Sequence, residues 1–420
     1  MPSGFNSKPP AKNIPVSIFE RNNLQMNKLI KKLSASLLAV CLALMGAVNY
    51  FSAVLPETYY VCGGESFNIG QFLEIEPTSY IEATASAESQ NIDGEVKLFG
   101  VIPVKPIKIK QTEAPHLIPG GTPIGIKFLT EGIVVVKVQE GSPADKAGIR
   151  QGDNITLANG KKLTSSTELS QIISSAKDTE IKITYLRDGK ENSTSFIPEY
   201  SEQEGTYKAG IWIKDSSAGV GTLTFVDPET CIFGALGHPV SDYDTGKLLP
   251  LGSGEIVNAV ITGCEKGEPG IPGELFGSFA SNIASGKITK NCEQGIFGVT
   301  TSKPSGEVLP IAFRSEVKIG KAIVLTTVEG TTPKEYEIEI ERIVQSPSAR
   351  SKNIIVRVTD PKLLEITGGI VQGMSGSPII QDGKLVGAIT HVFVSDPTRG
   401  YGIFIEDMLK EADSSYNLAA

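Results

Sequence analysis

Between residues 205 and 403 the apolar residues arrive in short runs, each cut by glycine or a polar turn. The runs read GIWIK, GTLTFVD, CIFGALGH, EIVNAVITG, KAIVLTTV, YEIEIERIV and NIIVRVTD. Their β-branched residues suit strands, and almost no helical period interrupts them. Strand after strand with short turns folds as an all-β barrel or sandwich. The 44 glycines and 25 prolines of the 420 residues follow no Gly-X-Y repeat, so they punctuate tight turns rather than a collagen rod. A chain of this length also leaves room for two or three domains. The expected fold class is therefore mainly β.

A different pattern precedes this region. Residues 33–56, LSASLLAVCLALMGAVNYFSAVLP, carry no charge. About 20 apolar residues in a helix span a bilayer. Lys28, Lys31 and Lys32 stand just before the run, and Glu57 and Glu65 follow it. The positive-inside rule then predicts a cytoplasmic segment over 1–32, a transmembrane helix over 33–55 and an extracytoplasmic remainder. The net charge of −8 argues against a nucleic-acid partner, which would need a concentrated basic surface. Cys62, Cys231, Cys264 and Cys292 are too scattered for a zinc site or a disulfide framework, and read as small buried side chains. No metal and no cofactor is expected. Residues 56–115 read as a stalk and linker. Within them VKLFGVIPVKPIKIK (96–110) alternates like a strand, and its prolines predict a sheet edge.

Residues 116–198 form a compact pattern of mixed α and β. Ile133–Val138 is a strand, and Ser142-Pro143 opens a short helix that Gly148 ends. Ser166 or Thr167 caps a second helix reaching Ser175, with Leu169, Ile172 and Ile173 on one face. This order, with the run GSPADKAGIRQGDNITLANG, resembles a PDZ domain of the bacterial protease-associated kind. Such domains bind an extended peptide as an added strand at a sheet edge. The resemblance places the peptide carboxylate on Pro123-Ile124-Gly125-Ile126, so Ile124, Gly125 and Ile126 are the expected peptide-binding residues.

Two segments beyond 205 can carry chemistry. One is GIVQGMSGSPIIQDGKLVGAITHVF, with Ser375 between Gly373 and Gly376. A serine hydroxyl needs a base to take its proton and N–H donors for the oxyanion that forms on attack. Glycines on both sides permit a turn that aims the N–H groups of Gly373 and Ser375 into one small space. The pattern resembles the nucleophile loop of chymotrypsin-clan serine peptidases, G-x-S-G-G-P before a hairpin, with Ser377 in place of the second glycine. That resemblance implies a double β-barrel peptidase domain over 205–420. The base must be one of three histidines. His116 lies in a proline-rich approach to the PDZ-like unit, and His391 sits on the second strand after Ser375, where it lines a pocket or packs. His238, in FGALGHPVSDYDTG, follows a strand and a glycine as the clan's base does. The third member is sought among Asp242, Asp244 and Asp360; Asp360 gives the chain order His, Asp, Ser. The turns LGSGE and GEPGIPGE carry no phosphate-binding lysine and read as structural turns.

Anchor, PDZ-like unit, GHPVSD and TDPKLLEITGGIVQGMSGSP together resemble the stage IV sporulation protein B peptidase family. The resemblance implies a triad of His238, Asp360 and Ser375, and an enzyme that cuts itself and then a membrane regulator of an intramembrane protease. It implies a place between mother cell and forespore and the activation of a late sporulation sigma factor. Two rivals are a general extracytoplasmic quality-control protease and a noncatalytic PDZ scaffold. The first has its PDZ after the protease domain, opposite to the order here. The complete Ser, His, Asp set weighs against the second.

Overall fold

The computed structural model describes residues 18–61, 67–70, 72–77, 91–344, 346 and 349–412. Cys62, part of the expected stalk and most of the expected cytoplasmic segment lie outside the described residues. Helix α1 (Ile18–Val54) contains one stretch, Met26–Val54, long and apolar enough to cross a membrane. Its side chains from residue 26 onward are mostly exposed, as a lipid-facing helix requires.

Directly after α1 comes a five-stranded sheet. Its strands are β1 (Thr58–Val61), β2 (Phe67–Gly70), β3 (Leu73–Pro77), β4 (Asn91–Leu98) and β5 (Ile102–Gln111), in the order β1-β5-β4-β3-β2. Leu55, Tyr59, Ile75, Val96 and Ile107 give it a core of its own. The expected stalk is thus a folded unit over its described part. β5 is internal over Lys108–Gln111, because β1 pairs with that stretch in parallel from a position some 50 residues earlier. The prolines at 103 and 106 precede that stretch and have β4 as their strand partner, so the expected edge holds where they stand.

The PDZ-like unit and the peptidase-like region share their strands. β6 (His116–Pro119), β7 (Pro123–Val138), β8 (Asn154–Ala158), β9 (Lys161–Lys162), β10 (Ile181–Arg187) and β11 (Lys190–Phe196) come first, with α2 (Pro143–Lys146) and α3 (Ser166–Ser175). Ser142 opens α2 as expected, its Oγ accepting from Asp145 N–H, whereas α3 is capped one residue earlier than expected, by Ser165 Oγ on Glu168 N–H rather than by Ser166 or Thr167. A small hairpin, β12 (Glu199–Ser201) and β13 (Thr206–Lys208), leads into β14 (Ile211–Val226). Then follow β15 (Ile232–Ala235), β16 (Leu251–Glu265), β17 (Glu274–Cys292), β18 (Gly295–Thr300) and β19 (Leu309–Pro310).

Six of these, β7-β16-β17-β18-β15-β14, run in that order, and β14 pairs back onto β7, so they close into an antiparallel barrel. Ile126, Phe128, Phe233, Ile256 and Ile296 belong to its core. The stave β7 therefore comes from residues assigned by sequence to the PDZ-like unit. Its first half belongs to the barrel. Its second half, from Ile133, pairs with β8 and carries the PDZ-like sheet. β14 follows it along both halves, from Thr222 opposite Pro123 to Ile211 opposite Val138. The two units are joined by this ladder.

The second barrel is closed by β20 (Gly320–Thr326), β21 (Lys334–Ile343), β22 (Ile354–Val358), β25 (Arg399–Phe404), β24 (Lys384–Val392) and β23 (Pro378–Gln381). Val324, Ile338, Val356, Ile379 and Phe404 fill it. Helix α4 (Pro361–Thr367) sits between β22 and β23, and α5 (Ile405–Ala412) closes the domain. Phe225 and Phe297 of the first barrel pack with Phe313, Ile403 and Met408, so an aromatic-aliphatic layer holds the barrels together. Two six-stranded antiparallel barrels match the chymotrypsin-like architecture expected from the motifs.

Candidate active site

The nucleophile loop is shaped by glycine. Gly373 has φ 95° and Gly376 φ 96°, in the left-handed region that disfavours a side chain. A Cβ on Gly376 would stand 2.1 Å from the Thr222 carbonyl oxygen and 2.6 Å from Leu236 N. This loop belongs to the second barrel, yet β14 of the first barrel fastens it. Thr222 N–H donates to the Ser375 carbonyl at 3.1 Å, Thr222 Oγ1 to the Gly373 carbonyl at 2.9 Å, and Thr224 Oγ1 to the Gly376 carbonyl at 2.8 Å. With those carbonyls engaged, neither Gly373 N–H nor Ser375 N–H donates to any described residue. The departure at Ser377 has a local reason. The side chain is fully buried, and its hydroxyl donates to Thr326 Oγ1 at 2.8 Å, which a glycine could not do. Ser375 Oγ itself donates to the Thr390 carbonyl at 2.7 Å.

His238 is lifted out of β15 by two left-handed residues, Leu236 and Gly237, both at φ 69°. A leucine there is strained, and such strain concentrates at functional sites. His238 Nδ1 lies 2.9 Å from the Pro239 carbonyl oxygen. That contact is satisfied by the tautomer with its proton on Nδ1, which leaves Nε2 bare as a base. Burial holds the imidazole below its ordinary pKa, with the Pro239 carbonyl opposing. The loop after it is held by Asn291, whose side chain bonds both polar backbone groups of Val240.

His238 and Ser375 line one cavity of about 760 Å³ between the barrels. His391 lines it too, its ring centroid 5.0 Å from that of His238. Burial first, then the neighbouring His238 and Lys352, push the His391 pKa down to about 4, and its buried Nδ1 has no partner among the described residues. The turn at 267–274 borders the same space through Pro272 and Glu274, whereas LGSGE lies within β16.

Asp360 is not brought to this place. It is the N-cap of α4: Oδ1 accepts from Lys362 N–H at 2.8 Å and Leu363 N–H at 3.0 Å, and Oδ2 faces Glu337 N–H at 3.4 Å. It does not line the cavity. The alternatives do not fill the gap either. Asp242 is buried, accepting from Thr245 N–H at 2.9 Å and pairing with Lys214 at 3.3 Å. Asp244 is exposed, and only its backbone oxygen is engaged, by Gln151. The structure thus brings Ser375 and His238 to one cavity and leaves Asp360 outside it, with the Pro239 carbonyl at His238 Nδ1. Sequence reasoning missed Thr222 and Pro239, since a backbone oxygen and a strand threonine carry no motif.

Ile124, Gly125 and Ile126 also differ from expectation. They lie inside β7, paired to β14 on one side and β16 on the other, with both isoleucines buried. A Cβ on Gly125 would meet the Phe279 ring at 2.4 Å. A segment paired on both edges cannot accept a peptide strand, so the carboxylate loop is not there. Cys231, Cys264 and Cys292 are free and partly buried. Among the described residues no group of His, Cys, Asp and Glu is arranged to hold a metal.

Two family models match the chain. Residues 205–409 match the SpoIVB peptidase S55 family model, and residues 110–196 match a PDZ domain model. The chain is 46% identical over 66 residues to the serine protease Do-like HtrA of Lactococcus lactis subsp. lactis, covering 16% of each chain. It is 32% identical over 117 residues to a protein of the same organism whose name assigns it to the zinc metalloproteases, covering 27% of each. The chain thus spans well under half the length of these curated relatives. The PDZ domain of the SdrC-like protein from Listeria monocytogenes aligns at 28% identity and a TM-score of 0.19, over 20% of this chain and 87% of that one. Residues 205–409 thus form a domain of the SpoIVB peptidase S55 family, behind a PDZ domain over residues 110–196.

Proposed function

We propose that the protein is a membrane-anchored serine endopeptidase with a peptide-docking PDZ domain. The observation that carries this reading is the convergence of Ser375 and His238 on one inter-barrel cavity, with the N–H groups of Gly373 and Ser375 unengaged beside the hydroxyl. Rotation about the Ser375 Cα–Cβ bond releases Oγ from the Thr390 carbonyl and turns it to the bare nitrogen of His238. His238 takes the hydroxyl proton as Oγ attacks the scissile carbonyl, and passes it to the leaving amine as the C–N bond breaks. Water then attacks the acyl-enzyme with His238 again as base, releasing the acid and regenerating the hydroxyl. Each oxyanion donor of this kind is worth about 10²–10³ in rate. Pro239 holds the ring in its productive tautomer, the role that Asp360 has in the family resemblance.

The family resemblance supports a signalling role: cleavage of the chain itself and of a membrane regulator of an intramembrane protease, ending in activation of a late sporulation sigma factor. Lys28, Lys31 and Lys32, just before the uncharged run of α1, support a single-pass orientation with the peptidase outside the cytoplasm, in the space between mother cell and forespore. The test is proteolysis by the purified full chain in detergent. Self-cleavage, or cleavage of a membrane substrate, should vanish in Ser375→Ala while folding is kept; cleavage retained in that variant would reject the mechanism.

A further inference from the structure

β14 is an open edge along much of its length. From Ile211 to Gly221 its only strand partner among the described residues is β7, and no other backbone bond reaches its second side. Two different neighbours face that side in succession. At the start, Ile211 and Ile213 pack on the PDZ core beside Ile172 and Ala176 of the α3 region, and Asp215 accepts from Ser166 N–H at 2.6 Å at the first turn of α3. Further along, Ser217 to Val220 line the cavity that holds Ser375 and His238. The strand then ends its free run at Thr222, bonded to the Ser375 carbonyl.

We propose that β14 is one docking edge shared by the PDZ domain and the catalytic cleft, and that its occupant is the extended C-terminal tail of a protein substrate. This rests on the peptidase reading above and adds the substrate's geometry. In a PDZ domain the carboxylate binds at the loop before the edge strand. That loop is Ala209-Gly210, with Gly210 at φ 74° and its two carbonyls already taken by Ala144 N–H and Gln139 N–H. A tail with its carboxylate there runs antiparallel to β14 and meets the catalytic centre upstream. It presents apolar side chains at alternate positions to Ile211, Ile213 and Ile172. Ile211 to Val220 is about 30 Å at ~3.3 Å per residue. The scissile bond therefore lies about nine residues before the substrate's C-terminus, one substrate residue pairing each residue of the strand. The PDZ domain measures distance from a tail end.

The probe is a pool of 16-residue peptides randomised at the last five positions, each also made with an amidated C-terminus. Wild-type full chain in detergent should cut the acid pool at a constant distance near nine residues from the end, and amidation should lower the rate at least tenfold. Inserting four Gly-Ser residues between tail and cut site should move the cut into the insert. Cuts that follow local sequence at no fixed distance, or that ignore amidation, overturn the proposal. Binding is read separately by hydrogen exchange on full-length Ser375→Ala with the acid pool. Protection of both 211–215 and 217–220 is expected; protection elsewhere, of one half only, or none overturns the shared edge. A second copy of the chain as occupant would show as the same protection without peptide, rising with protein concentration, and also overturns it. Fluorophosphonate labelling of Ser375 in the wild type separates the two readings: no labelling removes the peptidase, while the exchange result still decides the edge.

Discussion

Replacing Asp360 separates a helix cap from a catalytic carboxylate. The carboxylate accepts two short bonds from the first turn of α4, at 2.8 and 3.0 Å, on a partly exposed surface. Removing such a cap costs about 1 kcal/mol, within a range of roughly 0.5–2. For a domain of this size that is about 2–4 °C in Tm. Asparagine keeps a side-chain oxygen in the same place and is an equally good N-cap, so Asp360→Asn should cost only a few tenths of a kcal/mol. Neither change touches the ring of His238, whose hydrogen bond is to the Pro239 carbonyl. We therefore expect Asp360→Asn to keep kcat/KM within about threefold of wild type, and Asp360→Ala to lose stability while its folded fraction keeps its rate. A triad aspartate behaves otherwise: its amide lowers turnover by about 10⁴, or ~5.4 kcal/mol of transition-state stabilisation. The assay is kcat/KM on a cleaved peptide at equal active-site titre, beside thermal melts of both variants. A thousandfold or greater loss in the well-folded Asp360→Asn protein would refute the assignment.

Gly376→Ala should cost at least about 2 kcal/mol and abolish cleavage, since the new Cβ meets backbone at 2.1 Å in a left-handed conformation; a melt near wild type would contradict this. Burial keeps His238 and His391 neutral, so the acid limb of kcat/KM should fall below about pH 6.5, the ordinary histidine value. The same depression makes the unfolded chain bind more protons than the native one below that pH. Urea midpoints should therefore fall as pH drops from about 6.5 towards 4, and a midpoint flat across that window would refute the burial argument. Arg314 is buried between Glu406, at 2.6 Å, and Asp407 on α5, so Arg314→Met should destabilise by roughly 3–5 kcal/mol in denaturant titration; a loss under 1 kcal/mol would show the pair to be dispensable.

Glycine-broken strands, the Ser142 cap, the anchor-length helix and the placing of Ser375 and His238 at one cavity were all legible, because each rests on local chemistry. Strand sharing between the units was not. Whether Pro123–Leu129 pairs within its own unit or with residues 216–222 is a choice between distant partners, and the sequence pattern is the same in both. The parallel pairing of Thr58–Val61 with Lys108–Gln111 escaped notice for the same reason, and so a folded sheet read as a stalk. Asp360 differs in kind. Asp-Pro before a short apolar run is a helix-start signal in its own right, and the structure uses the carboxylate as that cap.

The most direct measurement is covalent capture of one hydroxyl by a fluorophosphonate probe on the native full-length chain. A single adduct is expected at Ser375, lost in Ser375→Ala and reduced at least a hundredfold in rate in His238→Ala, with Asp360→Asn labelled like wild type. An unlabelled native protein, or an adduct that forms equally fast without the imidazole, would contradict it.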